Sequence, residues 1–415
     1  MKKKYEWDEN IPVIEAHSLT KHKVLEEYIR QYILIVGRGH FAQKRLSLTL
    51  VDGFAGGGIY ELPGTKEIHN GSPLILLNIA KETEFVISQE RNFELDARFI
   101  FVEKEPKIFK FLENVLHTRG FREHINKTIY LINSEFENSI DKIICTIKER
   151  GRAWRSIFVL DQYGYTDVTM ATLRKIFSEL PSAEVILTLS VDFMTRYMNE
   201  SPEYKKILHK IESSYDLSRL PEDKAQRNWR HLIQHNSIND FKQKSGARYF
   251  TNFFIKSSES NSSYWLLHLS MHEKARDVMQ TLHWELKNAF VHEGKSGLFM
   301  LGYDANKDPN LTGQTSFLFT ENDAQLNHKT LLEEIPSLLD YDGMQVNCFL
   351  RDYCNDTPST FEMMKSAMSD LQQYGEIIIK GEKGQIRKKG VKLQNTDIVA
   401  LNRQTSFFNQ HWKEK

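Results

Sequence analysis

Short apolar runs alternate with amphipathic segments through the first half of the chain. Five runs rich in β-branched and aromatic residues predict strands at residues 46–51, 98–102, 128–132, 156–160 and 184–189. Between them, apolar positions recur at helical spacing, and the Ile140 to Ile147 segment shows this clearly. Strands that alternate with helices predict a parallel sheet covered by helices on both faces. A further helix, with Thr20 as its cap, is predicted before the first strand at residues 21–36.

The chain changes character after the fifth predicted strand. Residues 197–245 are polar and helical in pattern, which predicts an inserted helical region. Apolar runs at 249–255 and 264–269 then predict two antiparallel strands that complete the sheet, followed by a helix at 273–286. A loop-like stretch at 306–315 indicates an interdomain linker. We therefore expect one domain at residues 1–310 and a second at residues 320–400.

The last hundred residues predict three helices followed by a β-ribbon. The helical patterns cover residues 326–339, 344–353 and 359–374, and Ser359 with Glu362 has the spacing of a capping box. Residues 376–380 and 385–389 flank a glycine-containing turn, as in a ribbon. Three helices and a ribbon predict a winged-helix-like domain.

Composition narrows the classes of protein. The 415 residues carry 55 basic and 55 acidic side chains, so nucleic-acid affinity would need a local basic patch. No stretch of about 18 apolar residues is present, which predicts no membrane contact, and free thiols favour a cytoplasmic protein. The three cysteines form no C-x-x-C pair, and we expect Cys145 to be buried in the core.

A glycine-rich turn follows the first predicted strand and is the strongest chemical signal in the sequence. It contains Asp52, Gly53, Phe54, Ala55, Gly56 and Gly58. A dinucleotide-binding fingerprint counted from Gly56 would need a glycine where Glu61 stands. It would also need an acidic residue about 20 positions later, whereas Glu103 lies much further along the chain. An acid just before the glycines instead favours an S-adenosylmethionine site, with Asp52 near the methionine ammonium group. The alternative is a tight turn without a ligand.

Two further strand ends carry polar residues that suit the same cofactor. Glu103 ends the second predicted strand, where a carboxylate can accept hydrogen bonds from both ribose hydroxyls. Asn133 and Ser134 follow the third strand, where they can bind the adenine amino group, and Phe136 can pack on the ring. The alternatives are a solvated acid and an ordinary loop. Together these positions predict an α/β, Rossmann-like class I methyltransferase sheet.

The fourth predicted strand ends at Asp161, where a methyl acceptor is expected. In amino-methyltransferases this loop typically reads D/N-P-P-Y/F, and here Gln162 and Tyr163 replace the prolines. We expect Asp161 and Tyr163 to hold the acceptor and carry catalysis, unless they form only a turn with a buried aromatic. No cysteine lies near this loop, which disfavours cytosine C5 methylation.

Two remaining groups of residues concern metals and nucleic acid. Histidine pairs such as His268 and His272 lack the H-E-x-x-H context, so no metal site is predicted. The C-terminal ribbon is rich in basic residues, which suggests phosphate contacts or simply a solvated hairpin. Its predicted nucleic-acid-binding residues are Lys383, Arg387, Lys388 and Lys389.

Several segments in order resemble the three-Cys-motif partner protein (TcmP) family. They are residues 17–23, 51–58, 71–74, 101–105, 159–164 and 265–284, and the winged-helix-like tail looks similar too. Family members commonly have proline where this chain has Gln162. The resemblance implies a methyltransferase with no settled substrate and a separate partner that carries three cysteines.

These observations lead to one prediction and one alternative. The prediction is an S-adenosylmethionine-dependent methyltransferase that acts on DNA or RNA, in a bacterial modification or defence system with a three-Cys-motif protein partner. Orientation of reactants would carry much of the catalysis. The alternative is a non-catalytic nucleic-acid-binding adaptor that keeps the methyltransferase fold.

Overall fold

The computed structural model divides the chain into two compact units, Met1–Leu282 and His283–Lys415. It describes residues 5, 7, 10–39, 44–150, 154–162, 167–190, 199, 201–225, 229–256, 263–286, 292–293, 316–317 and 321–402. The predicted linker at 306–315 and Tyr163 lie outside these residues, and the expected domain boundary near residue 310 stays a prediction. None of the described helices is long and apolar enough to cross a membrane.

A seven-stranded sheet forms the centre of the first unit. Its strands are β1 (Arg45–Asp52), β4 (Glu94–Val102), β5 (Ile129–Ile132), β6 (Ser156–Leu160), β7 (Ala183–Ser190), β8 (Tyr249–Lys256) and β9 (Ser263–Ser270). They lie in the order β5-β4-β1-β6-β7-β9-β8. The first five are parallel, and β9 pairs antiparallel with both β7 and β8. This is the strand order of the class I methyltransferase fold, so the predicted fold class is confirmed.

A short hairpin that the sequence did not reveal follows the glycine-rich turn. Strands β2 (Ile59–Glu61) and β3 (Ile68–Asn70) pair antiparallel. Three residues per strand are too few for apolar alternation to stand out, which explains why the segment read as a loop.

Helices cover the parallel sheet. They are α1 (Ala16–Gly39), α2 (Ser72–Glu90), α3 (Pro106–Thr118), α4 (Phe136–Lys148) and α5 (Met170–Glu179). Helices α1 and α2 pack on each other and on β1, whereas α4 packs on α5 and β4. Every residue of β6 and of β7 is buried, as expected for strands covered on both faces.

The region between β7 and β8 is helical, as predicted. It contains α6 (Pro202–Lys210), α7 (Leu220–Ala225) and α8 (Trp229–Lys244). After β9 comes α9 (Glu273–Glu285), and β10 (His292–Glu293) pairs with β11 (Ser316–Phe317).

Helix α1 begins earlier than predicted. Its first residue is Ala16, and the Thr20 hydroxyl donates to the Ala16 carbonyl at 3.4 Å, so Thr20 is inside the helix and does not cap it. The buried face of α1 starts with the polar residues His17 and Ser18. Apolar periodicity could not detect these residues, because their burial depends on neighbours from other elements.

Cys145 was wrongly predicted to be buried. It is exposed on α4, where Ile140, Ile143, Ile144 and Ile147 form the buried face. A helix turns about 100° per residue, so Cys145 lies on the side of α4 that faces away from that apolar stripe.

Between residues 321 and 402, the second unit forms three α-helices and a three-stranded antiparallel sheet. The helices are α10 (Glu321–Glu334), α11 (Val346–Tyr353) and α12 (Phe361–Tyr374), and the strands are β12 (Met344–Gln345), β13 (Ile377–Lys380) and β14 (Ile398–Leu401). The strands lie in the order β12-β14-β13. Strand β14 was not predicted, because residues 398–401 are separated from β13 by a long polar loop.

Two local predictions in this unit were wrong. The cap of α12 is Thr360, which accepts from the Met363 amide at 3.2 Å, whereas the Ser359 hydroxyl bonds with Thr357 and Asn327 in the interior. The predicted strand at 385–389 is only a single bridge between Lys380 and Ile386. Gly390, at a φ of +79°, turns the chain soon afterwards.

A buried hydrogen-bond network joins α1 to the antiparallel part of the sheet. The Tyr28 hydroxyl donates to Glu184 of β7 and lies 3.0 Å from His268 Nε2 of β9, and His268 Nε2 lies 3.0 Å from the Glu184 carboxyl. Burial, followed by the nearby Glu184 charge, raises the pKa of Tyr28 well above its ordinary value, so Tyr28 stays a hydrogen-bond donor.

We expect Tyr28→Phe to lower the free energy of unfolding by about 1–3 kcal/mol, because a buried carboxyl loses its donor. Urea denaturation of the full chain measures this change. The control is Tyr130→Phe, which removes a hydroxyl bonded to the Lys127 carbonyl near the surface. Equal stability of Tyr28→Phe and wild type would show that the network does not hold α1 in place.

Candidate cofactor and acceptor site

A cleft of about 560 Å³ opens at the carboxyl ends of the parallel strands. Ligands of open α/β sheets bind at this edge, near the point where the strand order reverses. Here that point lies between β1 and β6. The cleft brings together side chains from α1, the glycine-rich turn and the ends of β4, β5 and β6. Predicted residues among its lining are Gly53, Phe54, Gly56, Glu103, Ser134 and Asp161.

The glycine-rich turn is fixed to the strands on either side of β1. The Gly53 amide donates to the Val159 carbonyl of β6, and the Ala55 amide donates to the Val102 carbonyl of β4, both at 2.9 Å. Gly56 has a φ of +58°, a conformation that disfavours any residue with a side chain. A Cβ on Gly53 would lie 2.6 Å from the Leu160 side chain. Glycine is therefore required for both backbone shape and space.

Asp52 is buried beneath this turn. Its Oδ1 accepts from the Phe54 amide at 3.1 Å, while Oδ2 has no hydrogen-bond partner among the described residues. Burial raises the pKa of Asp52 to about 7, and the Ser72 side chain and the Phe54 amide, which both favour the ionised form, offset this only in part. A buried carboxylate oxygen without a partner is costly, and a cationic group placed beside it would remove that cost.

Glu103 stands at the end of β4, facing the turn. Its two oxygens accept from the backbone amides of Gly56, at 3.1 Å, and Glu105, at 2.8 Å. These bonds fix the carboxylate in orientation and leave further lone pairs for a ligand, since an ionised carboxylate can accept about four hydrogen bonds.

The residues that follow β5 form another part of the cleft wall. Asn133 donates its side-chain amide to the Glu103 carbonyl at 2.8 Å and to the Lys104 carbonyl at 3.2 Å, so its amide nitrogen already supports the loop after β4. Ser134 and Phe136 line the cleft directly. The predicted contact between Asn133 and adenine remains a prediction.

Asp161 is held by a lysine that sequence reasoning did not assign to the site. Lys21 Nζ of α1 donates to both carboxylate oxygens, at 2.7 and 2.6 Å. Burial alone would raise the pKa of Asp161, but the charge and hydrogen bonds of Lys21 outweigh it and hold this pKa below its ordinary value. The Lys21 side chain is 10% exposed and that of Asp161 31%, so the carboxylate reaches the cleft.

Gln162 stands where the family that the sequence resembles commonly has proline, and its side chain has a defined structural role. Its Oε1 accepts from the amides of Asp167, at 2.9 Å, and Val168, at 3.2 Å, which ties the end of β6 to the residues just before α5. Its Nε2 is buried without a partner among the described residues, and Gln162 lines the cleft.

The amino-terminal segment and α1 supply further cleft residues that the sequence did not reveal. Trp7 packs on the turn, where a Cβ on Gly57 would lie 2.5 Å from its ring, and its indole donates to the Ile59 carbonyl at 2.8 Å. His22 lies 3.0 Å from His69, and burial lowers the pKa of His22 to about 3, so it is neutral near pH 7. The family resemblance of residues 17–23 is the one sequence signal that points to α1, and it gives no role to any of these residues.

No group of three or more His, Cys, Asp or Glu side chains in the described part of the chain has the arrangement of a metal site. In particular, His268 belongs to the buried network with Tyr28 and Glu184.

The predicted nucleic-acid-binding residues lie on the wing, the loop 381–397 between β13 and β14. Lys383 and Lys388 are exposed. Arg387 instead donates to the buried Asp397 carboxylate at 2.9 and 2.7 Å, and Lys389 donates to the Gln373 carbonyl at 2.9 Å. The wing therefore offers fewer unengaged basic groups than the sequence suggested.

Comparison with known families agrees with the division of the chain into two units. Residues 302–384, within the second unit, match the family model described as the GMT-like wHTH domain. This match confirms the predicted winged-helix domain. The TcmP family itself remains a resemblance.

Solved structures resemble the chain only distantly. A protein from Legionella pneumophila is 11% identical, with a TM-score of 0.37 over 65% of this chain and 91% of its own. A SAM-dependent methyltransferase from Agrobacterium tumefaciens is 10% identical, with a TM-score of 0.31 over 62% of this chain and 63% of its own. No curated protein matches. At such identities the likeness concerns the fold and not the activity.

We expect Asp52→Asn to stabilise the protein at high pH. The Asp52 carboxyl has a pKa of about 7 when folded and an ordinary value of 3.8, so the folded chain binds more protons between these values. The contribution of Asp52 to stability therefore falls as the pH rises through this window, and the loss is complete above it. Asparagine cannot ionise, so the melting temperature should rise by a few degrees at about pH 8 and change little at about pH 4.

Differential scanning fluorimetry at both pH values measures this effect. Asp141→Asn, at an exposed position on α4, is the matched control and should be neutral at both. A melting temperature that does not rise for Asp52→Asn at high pH would contradict the burial cost assigned to Asp52.

Proposed function

We propose that this chain is an S-adenosylmethionine-dependent methyltransferase that acts on nucleic acid. The observation that carries the proposal is the pair of carboxylates at the glycine-rich turn, the buried Asp52 and the fixed Glu103. S-adenosylmethionine has an ammonium group at one end and a ribose diol in its middle. Two acids at the ends of adjacent parallel strands match these two groups.

The residues present fit this cofactor. The Asp52 oxygen that lacks a partner suits the ammonium group, and the remaining lone pairs of Glu103 suit the ribose hydroxyls. Ser134 and Phe136 stand where they can bind and cover the adenine. A cleft of about 560 Å³ is within the usual range for a site of this kind.

Catalysis by this site would depend on orientation and exclusion of water. The cofactor, when bound, supplies a methyl group already activated on a sulfonium. The chain would hold the acceptor against it, and effective concentration is the main source of rate enhancement for such a transfer. Phe54 and Phe136, whose ring centroids are 6.0 Å apart, would keep water from the reacting atoms.

The winged-helix domain supports nucleic acid as the substrate. Such domains place a helix and a wing against a duplex, and the wing here carries exposed lysines. A three-Cys-motif protein partner and a role in a bacterial modification or defence system belong to the proposal through the family resemblance alone. In the alternative of a non-catalytic adaptor, Lys21 and Asp161 would form a structural ion pair that takes no part in methyl transfer.

We expect Glu103→Ala to weaken S-adenosylmethionine binding by roughly tenfold or more, because hydrogen bonds to a charged group are lost. Isothermal calorimetry of the full chain measures the dissociation constant. Glu94→Ala, on the same strand but at its opposite, exposed end, is the control and should bind like wild type. No binding of millimolar cofactor by folded wild-type protein would contradict the proposed function.

Transfer of a labelled methyl group to mixed DNA and RNA tests turnover. Wild type and Glu94→Ala should label nucleic acid, and Glu103→Ala should label it less at limiting cofactor. Cofactor binding without incorporation by wild type would favour the adaptor.

We expect the triple variant Lys383→Ala, Lys388→Ala, Lys389→Ala to lose duplex affinity, since each phosphate contact releases counterions. The salt slope of binding should fall by roughly 2–3 units, because Lys383 and Lys388 are unengaged, whereas Lys389 contacts a phosphate only if it gives up its bond to the Gln373 carbonyl. Arg387 is left unchanged, because its loss would leave the buried Asp397 unpaired. Fluorescence anisotropy against salt concentration measures both quantities.

The matched control removes three exposed lysines of the first unit, Lys127, Lys142 and Lys224. It has the same net charge as the wing variant and should keep the wild-type slope. Equal slopes for the two triple variants would show that the wing is not the phosphate contact.

A further inference from the structure

One face of α1 reaches the acceptor end of the cleft. His17, Lys21 and Tyr28 are separated by four and seven residues, so they lie on the same side of the helix. Tyr28 is fixed to β7 and β9 through Glu184 and His268. This attachment places Lys21, two turns earlier, at the end of β6 beside Asp161. The position of Lys21 is therefore set by the packing of α1.

The Lys21 and Asp161 pair retains one free donor and free acceptor capacity. An ammonium group has three N–H donors, and two of those on Lys21 are directed at Asp161. The third has no partner among the described residues. The carboxylate can accept about four hydrogen bonds, of which Lys21 supplies two and the Thr188 side chain one more, so acceptor capacity remains for a ligand. Both residues line the cleft, so a donor and an acceptor lie side by side at its wall.

Aromatic rings border this pair. Tyr264 of β9 stacks on His17, with ring centroids 4.3 Å apart, and lies 5.7 Å from Lys21 Nζ. Tyr60 lines the cleft on the side of the β2–β3 hairpin. Aromatic rings in the wall of a cleft favour a planar ligand over a flexible amide, because a planar ligand can stack on them.

We propose that Lys21 and Asp161 together form an acceptor-recognition pair that binds the edge of a nucleobase in which an N–H donor adjoins a hydrogen-bond acceptor. This proposal rests on the proposed function and specifies the substrate of the same site. Lys21 donates to the acceptor atom of the base, and Asp161 accepts from its N–H. The amino edge of adenine or cytosine and the imide edge of uracil share this pattern, so Lys21 is a specificity residue as well as the partner of Asp161.

Nucleoside binding to the full chain tests the pair, with and without S-adenosylhomocysteine. Adenosine and uridine present the two kinds of edge, and purine riboside lacks the exocyclic amine and so has only the acceptor. Wild type should bind adenosine, uridine or both, and the one it binds should bind roughly tenfold more tightly than purine riboside. Tight adenosine binding with weak uridine binding identifies an amino base, and the reverse identifies an imide.

Variants separate recognition from folding. Lys21→Met and Asp161→Asn should each lower the affinity for the preferred nucleoside by about tenfold and abolish the preference over purine riboside. Lys21→Arg, which keeps charge and donors, should restore part of that preference. The control is Lys23→Met, on the exposed side of α1, which should bind nucleosides like wild type.

Cofactor affinity, measured by calorimetry on the same proteins, should be unchanged in all four variants. Purine riboside that binds as well as adenosine and uridine, an unaltered preference in Lys21→Met, or no nucleoside binding at millimolar concentration would overturn the proposal. If wild type shows the expected nucleoside preference but does not bind the cofactor, the result would instead contradict the proposed methyl transfer.

Discussion

The hydrogen-bond network of Tyr28, Glu184 and His268 holds the first helix against the sheet, and the end of the cleft at Asp161 depends on the position of that helix. A carboxyl buried between β7 and β9 needs donors, and a tyrosine hydroxyl and an imidazole supply them. Once α1 is held there, Lys21 meets Asp161 and His17 meets Tyr264. A structural network in the core thereby sets the geometry of groups that lie about two helical turns away.

The acids at the two ends of the cleft differ in their partners and in the direction of their pKa shifts. Asp161 has a lysine as its partner, and its pKa falls below the ordinary value. Asp52 has no cationic partner among the described residues, and burial raises its pKa to about 7. Asp161 is therefore stable as a carboxylate without a ligand. Asp52 would be stabilised as a carboxylate when a cationic group binds beside it. This contrast is what we expect of a site with one end ready for an acceptor and the other arranged for a charged cofactor.

The wing shows the same competition between structural and functional use of charge. Basic residues crowd into a short stretch of the sequence, which suggested a uniform phosphate-binding surface. The structure divides them, because Asp397 is buried in the same loop and requires Arg387 as its partner. Lys383 and Lys388 remain exposed and able to meet an anion.

The sequence alone determined the order of the strands and helices of the seven-stranded sheet, the class of fold and the place of the glycine-rich turn. These features depend on local periodicity and on backbone shapes that only glycine adopts easily, as at Gly56. Asp52, Glu103 and Asp161 could be found for the same reason, since each follows directly from the end of a predicted strand. The tertiary structure alone decided that Lys21 pairs with Asp161 and that Gln162 accepts from the amide of Asp167. Such contacts join residues far apart in the chain, and a polar side chain gives no sign in the sequence of which distant partner will share its burial.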